Sequence, residues 1–290
     1  MGHEAVVGVL LAHGADVKAT TSGGFTALHA ACYPHDTNLV RSVFERLPSS
    51  LRPAARERLL DSGAGHKAVA ELLLRHNADV NAFGLRGVTP LHLAAGFGLE
   101  DVASCLLTNQ ADVDARDDND ATPLHMAAHN GCAKTVDLLL AHSADVTAKT
   151  KQGCTPLHLA AQGPLGLTNA PSLHLDYRGT AAALLAHGAA VNARDSNRAT
   201  PLHWTAFSGL VDVAQVLLEN KADVNPRDSG RQTPLFIAAG RNERELVELL
   251  IANNADINSM DAAGNTPLAV AELRAHKEIA AILRLHGAQR

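Results

Sequence analysis

The chain has 290 residues, of which 46% are hydrophobic and only 3% aromatic, and 30 acidic against 25 basic side chains give a net charge of −5. Its apolar content, mostly Ala, Leu and Val, suits closely packed helices better than a β-sandwich. The charge balance lacks the basic excess of a general nucleic-acid binder, and no apolar run reaches the roughly 18–20 residues that cross a bilayer, so neither nucleic-acid binding nor membrane insertion is expected.

Internal repetition sets the organisation. Thr-Pro-Leu-His begins at Thr89, Thr122, Thr155 and Thr200, with variants at Thr26 (Thr-Ala-Leu-His), Thr233 (Thr-Pro-Leu-Phe) and Thr266 (Thr-Pro-Leu-Ala). Successive steps are 63, 33, 33, 45, 33 and 33 residues. In chain order, residues 1–21 read as a half unit, an apolar helix ending in the loop Ala15-Asp16-Val17, with no first helix before it. This points to truncation of a longer array. Full units then begin near Ser22, Pro53, Leu85, Asp118, Lys151, Ser196, Ser229 and Ala262, all within one array spanning 1–290. The unit from Ser22 is predicted to place its second helix near Asn38–Leu47. Residues 48–64 read as a degenerate first helix with a missing hairpin; the alternative is one repeat carrying a long insertion. His66–Arg75 reads as an ordinary second helix.

The unit around Thr89 shows the local logic. Thr89 can N-cap a helix, Pro90 sits where its missing N–H costs nothing, Ala94 and Ala95 let helices approach closely, and Gly98 permits a reversal. Val102, Leu106 and Leu107 recur at helical spacing in a second helix. That helix must end on a left-handed residue. Gly14, Gly188 and Gly287 supply it cheaply, Asn77 and Asn254 less so, and Gln110, Ser143 and Lys221 with small local strain. Further on, twelve extra residues within 163–179, rich in Pro, Gly, Asn and Ser, read as a loop. In the last unit Glu272 and Arg284 replace apolar residues, as a terminal face with no further neighbour requires.

The recurring pattern, Gly-x-Thr-Pro-Leu-His-x-Ala-Ala-x-x-Gly, an apolar helix ending in Leu-Leu, then Ala-Asp-Val-Asn-Ala, resembles the ankyrin repeat family over nearly the whole chain. The resemblance implies an all-α solenoid of stacked helix-turn-helix units with β-hairpin-like loops. It also implies a protein-binding adaptor or scaffold rather than an enzyme, docking its partner on a concave face of loop tips and inner first-helix positions. A second reading is the targeting or regulatory arm of a larger protein whose catalytic or membrane part is absent from this chain.

Chemistry is sparse. Most of the sixteen histidines fall in repeat slots: His29, His92, His125, His158 and His203 in Thr-Pro-Leu-His, and His13, His76, His142, His187 and His286 at second-helix ends, where an imidazole can answer the helix dipole. There is no metal-binding His/Cys spacing, phosphate loop or nucleophile elbow, so no catalytic residue, metal or cofactor is expected. The four cysteines read as reduced thiols of a cytoplasmic or nuclear monomer.

Candidate partner-binding residues are Phe25, Tyr33, Phe83, Arg86, Phe97, Asp118, His129, Arg198, Trp204, Phe207, Arg231 and Arg241. Exposed aromatics are favoured interface anchors, and Trp204 and Phe207 are two large rings that would be hard to bury without a partner. Arg194, Arg198, Arg227, Arg231 and Arg241 gather two units beyond the acidic loop of Asp117, Asp118 and Asp120. They could face an acidic segment, or Asp195 and Asp228 could neutralise them. Asn81, Asn225 and Asn258, each ending Asp-Val-Asn or Asp-Ile-Asn with a leucine eight residues earlier, resemble sites of asparagine hydroxylation in ankyrin proteins; a loop brace is the alternative.

Overall fold

Each Thr-Pro-Leu-His string or variant opens a helix in the computed structural model, which describes residues 2–32, 65–163 and 175–289. Among the described residues there are fifteen α-helices and no strand. The first helices are α2 (Ala27–Ala31), α4 (Pro90–Gly96), α6 (Pro123–His129), α8 (Pro156–Gln162), α10 (Pro201–Ser208), α12 (Pro234–Arg241) and α14 (Pro267–Leu273). The second helices are α1 (Gly2–Ala12), α3 (Gly65–Arg75), α5 (Glu100–Thr108), α7 (Ala133–Ala141), α9 (Tyr177–Ala186), α11 (Val211–Glu219), α13 (Arg244–Ala252) and α15 (Lys277–Leu285). The described architecture is all-α, built of paired first and second helices.

The helices group into two compact units, residues 1–127 with 134–145, and residues 128–133 with 146–290. In the second, α8, α10, α12 and α14 pack in sequence, as do α9, α11, α13 and α15, while each first helix packs on its own second helix. Small residues make this approach possible. Ala160, Ala161, Ala206, Ala238, Ala239 and Ala271 are fully buried, as are the leucines that fill the space between layers, Leu157, Leu184, Leu217, Leu235 and Leu250.

The histidines of Thr-Pro-Leu-His register one repeat on the next. In His29, His92, His158 and His203 the Nε2 atom lies 3.0–3.1 Å from the backbone oxygen of Val88, Ala121, Ala199 and Gln232, the residue that precedes the next threonine. A carbonyl only accepts, so Nε2 carries the proton and Nδ1 is left as the acceptor. That Nδ1 takes the N–H of its own N-cap threonine at 3.0–3.2 Å. It also takes the threonine hydroxyl at 2.9–3.0 Å. One neutral ring thus satisfies a helix N-terminus and reaches the following repeat. Burial is the main cause lowering the pKa of all four rings.

His29 bonds to Val88, so the unit from Ser22 meets the unit from Leu85 directly, as the packing of α2 on α4 also shows. Helix α2 packs on α3, and His66 Nδ1 donates to Ala31 O at 2.9 Å. Helix α3 thus packs against α2 as a second helix does against its first. The expected second helix at Asn38–Leu47 and the degenerate first helix at 48–64 lie outside the described residues, as does most of the insertion within 163–179.

Second-helix ends follow the expected slots. Gly14, Asn77, Gln110, Ser143, Gly188, Lys221, Asn254 and Gly287 all have positive φ, from 62° to 89°. One residue earlier, His13 and His286 donate from Nδ1 to the carbonyl four residues back, at 2.7 and 3.0 Å. Asn109, Asn220 and Asn253 do the same from Nδ2 at 2.8–2.9 Å. In the last unit Arg284 pairs with Glu272, so the two polar replacements satisfy each other.

Replacing His92 by Ala is expected to cost about 2–4 kcal/mol in urea unfolding, because it strands the buried Thr89 N–H and Ala121 C=O. The pH profile has a definite sign. Ring pKa values are depressed in the folded chain relative to the ordinary 6.5, so below that pH the unfolded chain binds more protons. Stability is full above about pH 6.5 and falls as the pH drops further. A urea midpoint unchanged between pH 7.5 and 5.5 would contradict this.

Candidate functional site

The predicted residues are spread over both units, and the structure brings only some of them together. In the first unit, Phe25 is half-buried, edge-on to His29 with ring centroids 5.2 Å apart. It lies over Gly84, where a side-chain carbon would come within 2.8 Å of the ring. Phe83 is 67% exposed beside Leu85 at 57%, and Arg86 is exposed with φ of 59°. Asp118 donates its backbone N–H to Arg86 O at 2.8 Å, joining successive loop tips. Phe97 caps the C-terminus of α4 and is half-buried. Tyr33 lies outside the described residues.

Of the acidic loop, Asp117 is a structural residue. It is buried, and its Oδ1 accepts the N–H groups of Asn119 and Ala121 at 2.7 and 2.9 Å. The carboxylate holds the turn that leads into the next helix.

The second unit carries the larger cluster. His129, at the end of α6, is half-buried; its Nδ1 has no hydrogen-bond partner, and burial lowers its pKa. Trp204 on α10 is also half-buried. Its Nε1 donates to Asp195 Oδ2 at 3.1 Å, and its ring meets His158 edge-on at 6.1 Å. It is therefore built into its own repeat, which corrects the expectation that it needs a partner for burial. Phe207, one turn further along α10, is 51% exposed and carries the Arg241 guanidinium 3.9 Å above its ring. Such a contact is worth about 0.5–1 kcal/mol when exposed.

Arg198 and Arg231 occupy the loop-tip position two residues before their threonines. Both are exposed, with φ of 60° and 59°. In other units this position holds Gly24, Gly87, Gly153 and Gly264, with φ of 76°, 73°, 74° and 83°, and Asp120, with φ of 58°. A left-handed conformation costs a non-glycine residue about 1–2 kcal/mol, so the fold alone favours glycine here. Adjacent tips are joined, with Ser229 N donating to Asn197 O at 2.8 Å and Ala262 N to Gly230 O at 2.9 Å.

Asp195 and Asp228 do not neutralise these arginines. Asp195 is buried; Oδ1 takes the N–H groups of Asn197 and Ala199, and Oδ2 takes Trp204. Asp228 Oδ1 takes Gln232 N at 2.8 Å. Among the described residues, Arg198, Arg227 and Arg231 form no ion pair. Arg194 reaches the neighbouring tip, donating from Nη1 to Arg227 O at 3.2 Å.

Asn81, Asn225 and Asn258 brace successive loops. Their Oδ1 atoms accept the N–H groups of Asp112, Asp256 and Gln289 at 2.7–2.9 Å. Asn192 and Asp114 do the same for Asp223 and Asp145. Sequence reasoning had singled out three residues of a brace that runs through more units than those three.

Two family models describing ankyrin repeats match this chain. The model of three copies aligns with residues 62–117, 106–170, 169–228 and 226–289, and the model of many copies with 1–41. The chain belongs to the ankyrin-repeat family. A search of curated proteins finds no match. The family's repeats are in general protein-interaction modules. Among the described residues no cluster of His, Cys, Asp or Glu could hold a metal ion, and no helix is long and apolar enough to cross a membrane. All four cysteines are buried and outside disulfides.

Two substitutions separate fold from surface. Arg198→Gly and Arg231→Gly are each expected to raise unfolding stability by about 1 kcal/mol, by relieving the left-handed tips. Trp204→Phe is expected to cost about 1–2 kcal/mol, since it leaves Asp195 Oδ2 without its donor. Chemical denaturation measures both.

Proposed function

We propose that this array is a non-catalytic adaptor that binds a partner protein through the loop tips and first-helix exits of its second unit. The carrying observation is the pairing of exposed Phe207 with Arg241 beside arginine tips that the fold would prefer as glycine. An aromatic ring left half in water and a guanidinium stacked on it are the residue types that dominate interface energetics. Backbone strain retained at exposed positions points the same way, since nothing in the local packing requires it. The surrounding repeats hold these groups on helices whose own cores are filled, so a partner would meet a preformed surface. In the family resemblance these positions belong to the concave, partner-facing side.

Capture from cell extract with the wild-type chain and with Phe207→Ala tests the reading. Phe207 is exposed, so its truncation is expected to change the melting temperature by under about 2 °C. Proteins retained by wild type and depleted at least about fivefold by Phe207→Ala, or by Arg241→Ala, are the expected result. Identical capture profiles for wild type and both variants would overturn the assignment of the face.

A further inference from the structure

The arginine tips also carry information about what they bind. Arg198, Arg227 and Arg231 sit on two adjacent tips, tied by the 2.8 Å bond between Ser229 N and Asn197 O. Their nearest carboxylates in sequence, Asp195 and Asp228, turn their oxygens inward to backbone amides and to Trp204. Arg198 and Arg231 are exposed and Arg227 is half-buried, and none of the three has an ion-pair partner among the described residues. The chain as a whole has a net charge of −5, so a long polyanion would be repelled elsewhere. A short anionic segment on this ridge would not be.

Spacing narrows the class further. Stacked helices lie about 8–10 Å apart, and these tips lead into α10 and α12, which stack on one another. A polyproline II segment advances about 9.3 Å per turn of three residues and returns every third side chain to the same face. A β-strand returns its side chains every second residue, about 6.8 Å apart, which is too short for one step and too long for none. We infer that the ridge of Arg198, Arg227 and Arg231 binds an acidic linear segment of a partner protein, held as a polyproline II helix with a carboxylate at every third residue. This rests on the adaptor reading and names the partner's chemistry. The bound segment would lie across the tips with successive carboxylates on successive repeats, and its backbone would need no pairing with a sheet edge.

The test uses the full chain and two fluorescent twelve-residue peptides of the same composition. One repeats Glu-Ala-Pro four times; the other places its four glutamates together, followed by alternating Ala and Pro. Fluorescence polarisation at low salt is expected to show the spaced peptide binding at least about fivefold tighter. Arg198→Glu with Arg231→Glu is expected to weaken it more than about tenfold, and Arg198→Gln with Arg231→Gln to weaken it by an intermediate factor, with no loss of melting temperature in either. Equal affinity for the two peptides overturns the spacing, and unchanged affinity in the charge-reversed variant overturns the site. A single-stranded RNA oligonucleotide binding tighter than the spaced peptide, with the same arginine dependence, would overturn the peptide assignment. Failure here with Phe207-dependent capture intact removes only the acidic-segment inference; failure of both removes the adaptor face.

Discussion

A buried imidazole that donates from one ring nitrogen and accepts at the other must be neutral and fixed in one tautomer. In this chain it also spans two repeats. The Nδ1 atom of His92 closes the N-terminus of its own helix through Thr89, while Nε2 reaches Ala121 O in the next repeat. The same triple contact recurs at His29, His158 and His203. Shifting one repeat against another by a residue would break all of it and leave polar atoms dry, so the stack has one register. Where Phe236 replaces the histidine, Thr233 instead accepts Phe236 N and bonds across to Ser259 Oγ at 3.1 Å. The link between repeats is kept by a different pair of side chains.

Because registration is local to a few positions, the loop tips are left comparatively free. Their inner side is fixed in six of the seven units by a carboxylate or hydroxyl five residues before the threonine: Asp117, Asp195, Asp228 and Asp261, with Thr21 and Thr150 in the same slot, while Gly84 stands there before Thr89. Their outer side varies from Gly24 to Arg198 to Gly264. Side chains can change there at the cost of one strained backbone rather than of the core.

Much of this was legible in the sequence. The repeat period, the N-cap threonines, the alanine contacts and the left-handed second-helix ends follow from residue types with narrow conformational preferences. The number of units was not. Pro53 through Leu60 lacks the Thr-Pro-Leu-His string, and a spacing of 63 fits two shortened units or one with an insertion, on residues outside those the structure describes. Trp204 misled for a related reason. Its slot faces a neighbouring helix, but the donor that anchors it is satisfied by Asp195, nine residues back on the loop. The arginine tips drew attention as charge alone, whereas their left-handed backbone is visible only in three dimensions.

The central claim is that neutral histidines of one tautomer register the repeats. Long-range proton–nitrogen NMR of the imidazole rings tests it most directly. His29, His92, His158 and His203 should each show a protonated Nε2 and a bare Nδ1, unchanged from pH 7.5 down to the onset of unfolding. Rings that titrate near pH 6.5 in the folded chain, or that carry the proton on Nδ1, would contradict the account.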